Sequence, residues 1–269
     1  MIDFIIEKIG YKAVALVGCY ISRSNYPSCE MDLIILNGKG RDILKFNEKL
    51  LEIHYVTEDE IIKNPLLLFN SKILVDPELR LMTLINNLPF EKVKRENSKR
   101  LLVRALMNLG KADNFLIKDK VLEASFLILK AQYQYLEALL LSKGIKASPS
   151  HLLDQIKNNL KEEYHEISEG LYLSLASKIS IQRRFKLVLE FLDPLQVEIV
   201  ERKLRYFLTS HLLTNAYCYL GKLLVNKPYY SKEGLNKMDL LVDYLNLLKL
   251  KQNLLNKIKE GLSFYFKYF

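Results

Sequence analysis

The stretch Ala13-Val14-Ala15-Leu16-Val17-Gly18-Cys19, followed after ten residues by Glu30-Met31-Asp32-Leu33-Ile34-Ile35-Leu36, decides how this chain is read. Its two apolar runs have the length of buried strands. A glycine closes the first run. Glu30 and Asp32 stand two apart at the start of the second, and strand side chains alternate, so both carboxylates project from one face. Paired carboxylates beside a glycine turn make a hard-oxygen site. Such a site suits one or two Mg²⁺ ions with phosphate oxygens as the remaining ligands. An ordinary βαβ-type turn carrying surface acids is the other reading of the same residues.

On either side of this stretch the chain reads as follows. Ile2–Ile9 is a short helix closed by Gly10. The segment 20–29 is a loop containing Ser22, Arg23, Ser24 and Asn25. Asn37-Gly38-Lys39-Gly40 is a turn, Ile43–Phe46 a weak or edge strand, and Leu50–Val56 a third strand with Glu52 and His54 on one face. Thr57 with Glu60 three residues on is a capping box, and the helix it opens stops before Pro65. Lys72–Val75 is a fourth strand, Glu78–Leu88 a helix, and Pro89 a boundary. From Glu91 the period changes. Leu122, Phe126, Leu129, Tyr133, Leu136 and Leu140 mark one helix face; Leu241, Leu245, Leu248, Leu255, Ile258 and Leu262 mark another. Pro149, Pro194 and Pro228 fall between helices, where breakers belong. The expectation is an α+β protein: residues 1–90 a small sheet domain, residues 91–269 an all-α bundle of five or six helices.

The order apolar–Gly–Cys–(ten residues)–Glu–apolar–Asp–apolar resembles the signature of the polymerase-beta-like nucleotidyltransferase superfamily. The resemblance covers about the first ninety residues. It departs at two positions: Cys19 stands where serine is usual, and Glu30 where the first aspartate is usual. The resemblance implies a small mixed-sheet domain and transfer of a nucleoside monophosphate from a nucleoside triphosphate to an acceptor hydroxyl. Glu30 and Asp32 would hold Mg²⁺, and Gly18 and Cys19 would lie against the triphosphate with Arg23 beside a phosphate. A third carboxylate would come from a neighbouring strand, for which Glu52 is the candidate, with His54 a stand-in. Cys19 keeps its backbone N–H but not a serine hydroxyl, and Glu30 reaches one methylene further. Those two changes leave open a non-catalytic nucleotide- or nucleic-acid-binding protein on the same fold.

The bundle stretch around Leu136–Leu160 resembles the helical domains, HEPN-like or kanamycin-nucleotidyltransferase-like, that accompany minimal nucleotidyltransferases. Through that resemblance a homodimer, or an RNase using Arg205 and His211, enters as an alternative. Five residues separate that pair, and on one continuous helix they would point apart. Basic clusters lie at Lys92, Lys94, Arg95, Lys99, Arg100 and Arg104, at Arg183, Arg184 and Lys186, and at Arg202, Lys203 and Arg205. Residues 1–90 hold 10 Lys/Arg against 12 Asp/Glu; residues 91–269 hold 30 against 19. The positive excess therefore belongs to the second part, where it suits a nucleic acid or other polyanion or simply a solvated helix surface.

With 49% apolar residues in 269, the chain can bury a core and is not of disordered composition. No apolar run reaches membrane-spanning length, and the longest uncharged run, Tyr206–Gly221, carries Thr209, Ser210, His211, Thr214 and Asn215. Cys19, Cys29 and Cys218 form neither a disulfide framework nor a zinc spacing, and a reducing cytoplasm is expected.

Overall fold

The computed structural model describes residues 2–10, 12–21, 25–227, 230–240 and 243–267. They fall into two compact units: Met1–Lys94 with Asp193–Tyr206, and Arg95–Leu192 with Phe207–Phe269. Residues 193–206, from the stretch expected to lie within the helical half, thus cluster with the sheet.

The first unit begins with α1 (Ile2–Ile9) and continues through β1 (Val14–Val17), β2 (Met31–Leu36), β3 (Gly40–Phe46) and β4 (Lys49–Val56). It then runs through α2 (Glu58–Lys63), β5 (Lys72–Val75) and α3 (Arg80–Asn87). The strands form one mixed sheet in the order β3-β4-β2-β1-β5. β2 and β4 run parallel, with Asp32 opposite Glu52 and Ile34 opposite His54. β1 is antiparallel to β2, placing Val17 opposite Asp32. The expected weak strand Ile43–Phe46 is the end of β3, which lies at the sheet edge. It returns to β4 through Asn47 and Glu48, both at positive φ, the backbone a tight two-residue hairpin demands.

Period-two alternation splits the sheet residues between two cores. Leu33, Ile35, Leu51 and Ile53 pack with Ile5 of α1 on one face. Ala15, Val17, Ile34, Leu36 and Val56 pack with Ile61 of α2 and Leu81 of α3 on the other. Each such Val, Leu or Ile side chain taken out of water contributes about 1.5–3 kcal/mol. Asp32, Glu52 and His54 share the parity of Ile34 and Val56 and extend that second face beyond its apolar cluster. The Thr57 capping box is formed: Thr57 Oγ1 accepts from Glu60 N at 3.3 Å, and Thr57 N donates to Glu60 Oε2 at 2.8 Å.

The helices from Phe90 onward are α4 (Phe90–Leu116), α5 (Val121–Ser142), α6 (Leu152–Asn159), α7 (Tyr164–Gly170) and α8 (Lys178–Leu189). They continue with α9 (Pro194–Thr209), α10 (Leu213–Leu224), α11 (Lys232–Asn236) and α12 (Tyr244–Lys267). These nine, among the described residues, replace the expected five or six, because α6, α7 and α11 are each only a turn or two long. On α5 the expected stripe is buried from Phe126 through Leu140. On α12 it is displaced in part: Ile258 is buried as expected, but Leu245 is 76% exposed and Leu247 and Leu254 are buried in its place. The leucines there fill two adjoining arcs at helical spacing, so the pattern admits either arc; Leu241 lies outside the described residues. No helix among the described residues is long and apolar enough to cross a membrane.

The second unit contains a fully buried arginine. Arg184 of α8 donates from Nε to Met238 O at 3.0 Å and from Nη1 to Tyr217 O at 3.1 Å, and its guanidinium lies 3.4 Å from the centre of the Tyr217 ring. Tyr133 donates to Cys218 O at 2.9 Å beside it. Gly221 leaves the room these groups need: a Cβ there would sit 2.4 Å from Tyr133 Oη and 2.7 Å from Arg184 Nη1.

Candidate active site

β1 and β2 deliver the turn and the acids together. Gly18 follows β1 at φ +77°, a left-handed backbone that glycine adopts without cost, and a Cβ at this position would lie 2.1 Å from Asp32 Oδ2. The glycine is thus required twice, by the turn and by the carboxylate pressed against it. The parallel pairing of β2 with β4 then sets Glu52 beside Asp32. Glu30 precedes β2 by one residue. One oxygen each from Glu30, Asp32 and Glu52 lies within 4.8 Å of the others, a separation one cation can bridge. All three predicted carboxylates therefore converge, with Gly18 in contact with one of them.

Three like charges at this spacing repel unless compensated. Much of the compensation comes from the chain itself. Lys203 of α9 reaches Glu30 Oε1 at 2.6 Å, and both side chains are buried. Arg41 of β3 reaches Glu52 Oε1 at 2.7 Å and Asp193 at 3.6 Å. His54 Nε2 meets the same Glu52 oxygen at 2.8 Å. Burial pushes the Glu52 carboxyl up, but the His54 hydrogen bond and the Arg41 and Lys203 charges outweigh it, and the group is held below its ordinary value. Glu52 is therefore an anion at neutral pH.

The segment carrying Lys203 is fastened to the sheet along its length. Lys45 pairs with Glu198 at 2.7 Å, Arg202 Nη1 donates to Glu48 O at 2.8 Å, and the rings of Tyr26 and Tyr206 lie 5.2 Å apart. Lys203 entered the sequence reading only as part of a basic cluster. Its partner is 173 residues away, and no local pattern signals that distance.

The donor set is entirely carboxylate oxygen, the chemistry of Mg²⁺ or Mn²⁺. Glu30 Oε2 is buried and, among the described residues, without a hydrogen-bond partner, an oxygen still to be satisfied. These residues fit a divalent ion. Cys19 does not add to the set: its thiol is pushed up by a hydrogen bond to Cys29, by burial, and by the Asp32 and Glu30 charges, and it stays protonated. Arg23 lies outside the described residues. Arg205 is exposed on α9, and His211 is exposed at the turn before α10 with φ +56°. The first belongs to the sheet unit and the second to the helical unit.

No family model matches this chain, and no curated protein does. Among solved structures it is similar to one titled a nucleotidyltransferase-like protein from Exiguobacterium sibiricum 255-15. That likeness has 13% identity and a TM-score of 0.40, and it covers 97% of this chain and 90% of the other.

Proposed function

We propose that the sheet unit is a divalent-metal-dependent nucleotidyltransferase site, moving a nucleoside monophosphate from a nucleoside triphosphate to an acceptor hydroxyl. The observation that carries this reading is the convergence of Glu30, Asp32 and Glu52 on one point against the Gly18 turn. Asp32 and the unpartnered oxygen of Glu30 are the ligands for the ion, with Glu52 completing the set. Mg²⁺ held there supplies positive charge to the phosphate oxygens, lowering the cost of the negative charge that develops during transfer. Gly18, having no side chain, leaves its backbone open to the triphosphate.

A carboxyl held below its ordinary value is a weak proton acceptor. Glu52 is accordingly assigned to metal holding and to orienting His54. In this reading His54, whose Nε2 meets Glu52 Oε1 at 2.8 Å, is the group that would take the proton of the acceptor hydroxyl. The reaction expels pyrophosphate. Asp32→Asn removes a ligand charge while keeping the shape, so pyrophosphate release from ATP with Mg²⁺ should fall at least a hundredfold in this variant. Release at the unsubstituted rate removes the assignment.

The Lys203–Glu30 and Arg41–Glu52 pairs favour a second reading, a nucleotide-binding protein without turnover, since acids already paired have less charge to offer a metal. Saturable MgATP binding with no pyrophosphate release selects it.

A further inference from the structure

The three carboxylates meet two resident cations, Lys203 and Arg41, whose positions differ in kind. Arg41 is shared: it spans Glu52 and Asp193 at the sheet edge. Lys203 is buried, its ammonium lies 2.6 Å from Glu30 Oε1, and its charge is also felt by Glu52. Glu30 contributes an oxygen to the three-carboxylate cluster, and its Oε2 is buried with no hydrogen-bond partner among the described residues. One divalent ion added to this arrangement brings the cluster close to neutrality. Two would leave it strongly positive in a place from which water is largely excluded. Lys203 cannot be displaced cheaply, because α9 is fastened before it by Glu198 and Arg202 and after it by the Tyr206 ring against Tyr26.

We infer that Lys203 is a built-in monovalent cation occupying part of the acid cluster, so that the site takes a single divalent ion instead of two. Glu30 thereby divides its labour: Oε1 serves the ammonium and Oε2 serves the ion. Lys203 is a positioning residue for Glu30, acting on metal stoichiometry through it. This rests on the reading of the cluster as a metal site.

The test is titration of Mn²⁺ alone into the full chain, with free Mn²⁺ followed by electron paramagnetic resonance and folding followed by circular dichroism. The unsubstituted protein should bind one Mn²⁺ per chain. Lys203→Met should bind a second ion, or bind the first about tenfold more tightly, and Lys203→Arg should keep the unsubstituted behaviour. One ion at unchanged affinity in folded Lys203→Met overturns the role of Lys203 and leaves the metal site standing. No ion in either protein overturns the metal site itself. Two ions in the unsubstituted chain overturn the inference without any variant, which keeps it open to refutation should Lys203→Met fail to fold.

Discussion

Two of the places where the molecule buries charge handle it in different ways. In the helical unit the Arg184 guanidinium donates to two backbone carbonyls and lies against an aromatic face, while its Nη2 is buried without a hydrogen-bond partner among the described residues. In the sheet unit three carboxylates are crowded together and compensated by two cations, and one oxygen of Glu30 is still unsatisfied. The first arrangement surrounds a single cation with backbone dipoles and ring electrons, which fixes a core. The second leaves residual negative charge aimed at a point, which is what a ligand site requires. Burial, and even one polar atom without a partner, occurs in both regions; what sets the sheet unit apart is the crowding of three like charges on one point.

The largest effect expected from this contrast falls on the helical unit. Arg184→Ala removes the side-chain donor to the Met238 and Tyr217 carbonyls and opens a void beneath Gly221. It should cost about 3 kcal/mol or more in urea unfolding. A loss under about 1 kcal/mol would mean the guanidinium is not the keystone of that core. Asp32→Asn should behave oppositely. It relieves like-charge repulsion, so stability should stay within about 1 kcal/mol of the parent while metal binding is lost. A loss of about 2 kcal/mol would place the acids with Arg184 as framework.

The smallest effect is in the pH profile, and its sign differs between the regions. Glu52 has a depressed folded value, so its contribution is present above the ordinary carboxyl value of 4.5 and disappears as pH falls through the depressed one. Glu52→Gln should therefore flatten the acid side of the stability curve, and equal slopes would contradict the ion-pair account. In the helical unit, burial pushes the Cys218 thiol up from 9.0 to about 12. Its contribution is present below pH 9 and is lost as the unfolded thiol ionises above it. That unit should lose stability on the alkaline side instead.

Much of the sheet unit is legible in the amino-acid order. Val14–Val17, Met31–Leu36 and Lys49–Val56 announce themselves as apolar or alternating runs, and Thr57 with Glu60 fixes the start of α2. Period-two alternation puts Glu52 and His54 on one face before any coordinates are seen. What local pattern could not reach is the pairing across the chain. Lys203 looks like one more basic residue on a helix until folding lays α9 on the sheet, and Arg41 looks like an edge-strand charge until β3 pairs with β4. The α12 stripe fails for a different reason: a leucine-rich helix offers two arcs, and only its neighbours choose between them. Chemistry carried by one strand was readable; compensation supplied from elsewhere was not.

The central claim is that Glu30, Asp32 and Glu52 hold a divalent ion against a nucleotide's phosphates. Calorimetric titration of ATP into the full chain, with and without Mg²⁺ and repeated on Asp32→Asn, tests it most directly. The account predicts saturable binding that requires Mg²⁺ and vanishes in the variant. ATP binding of equal strength without the ion, or undiminished in Asp32→Asn, would contradict it.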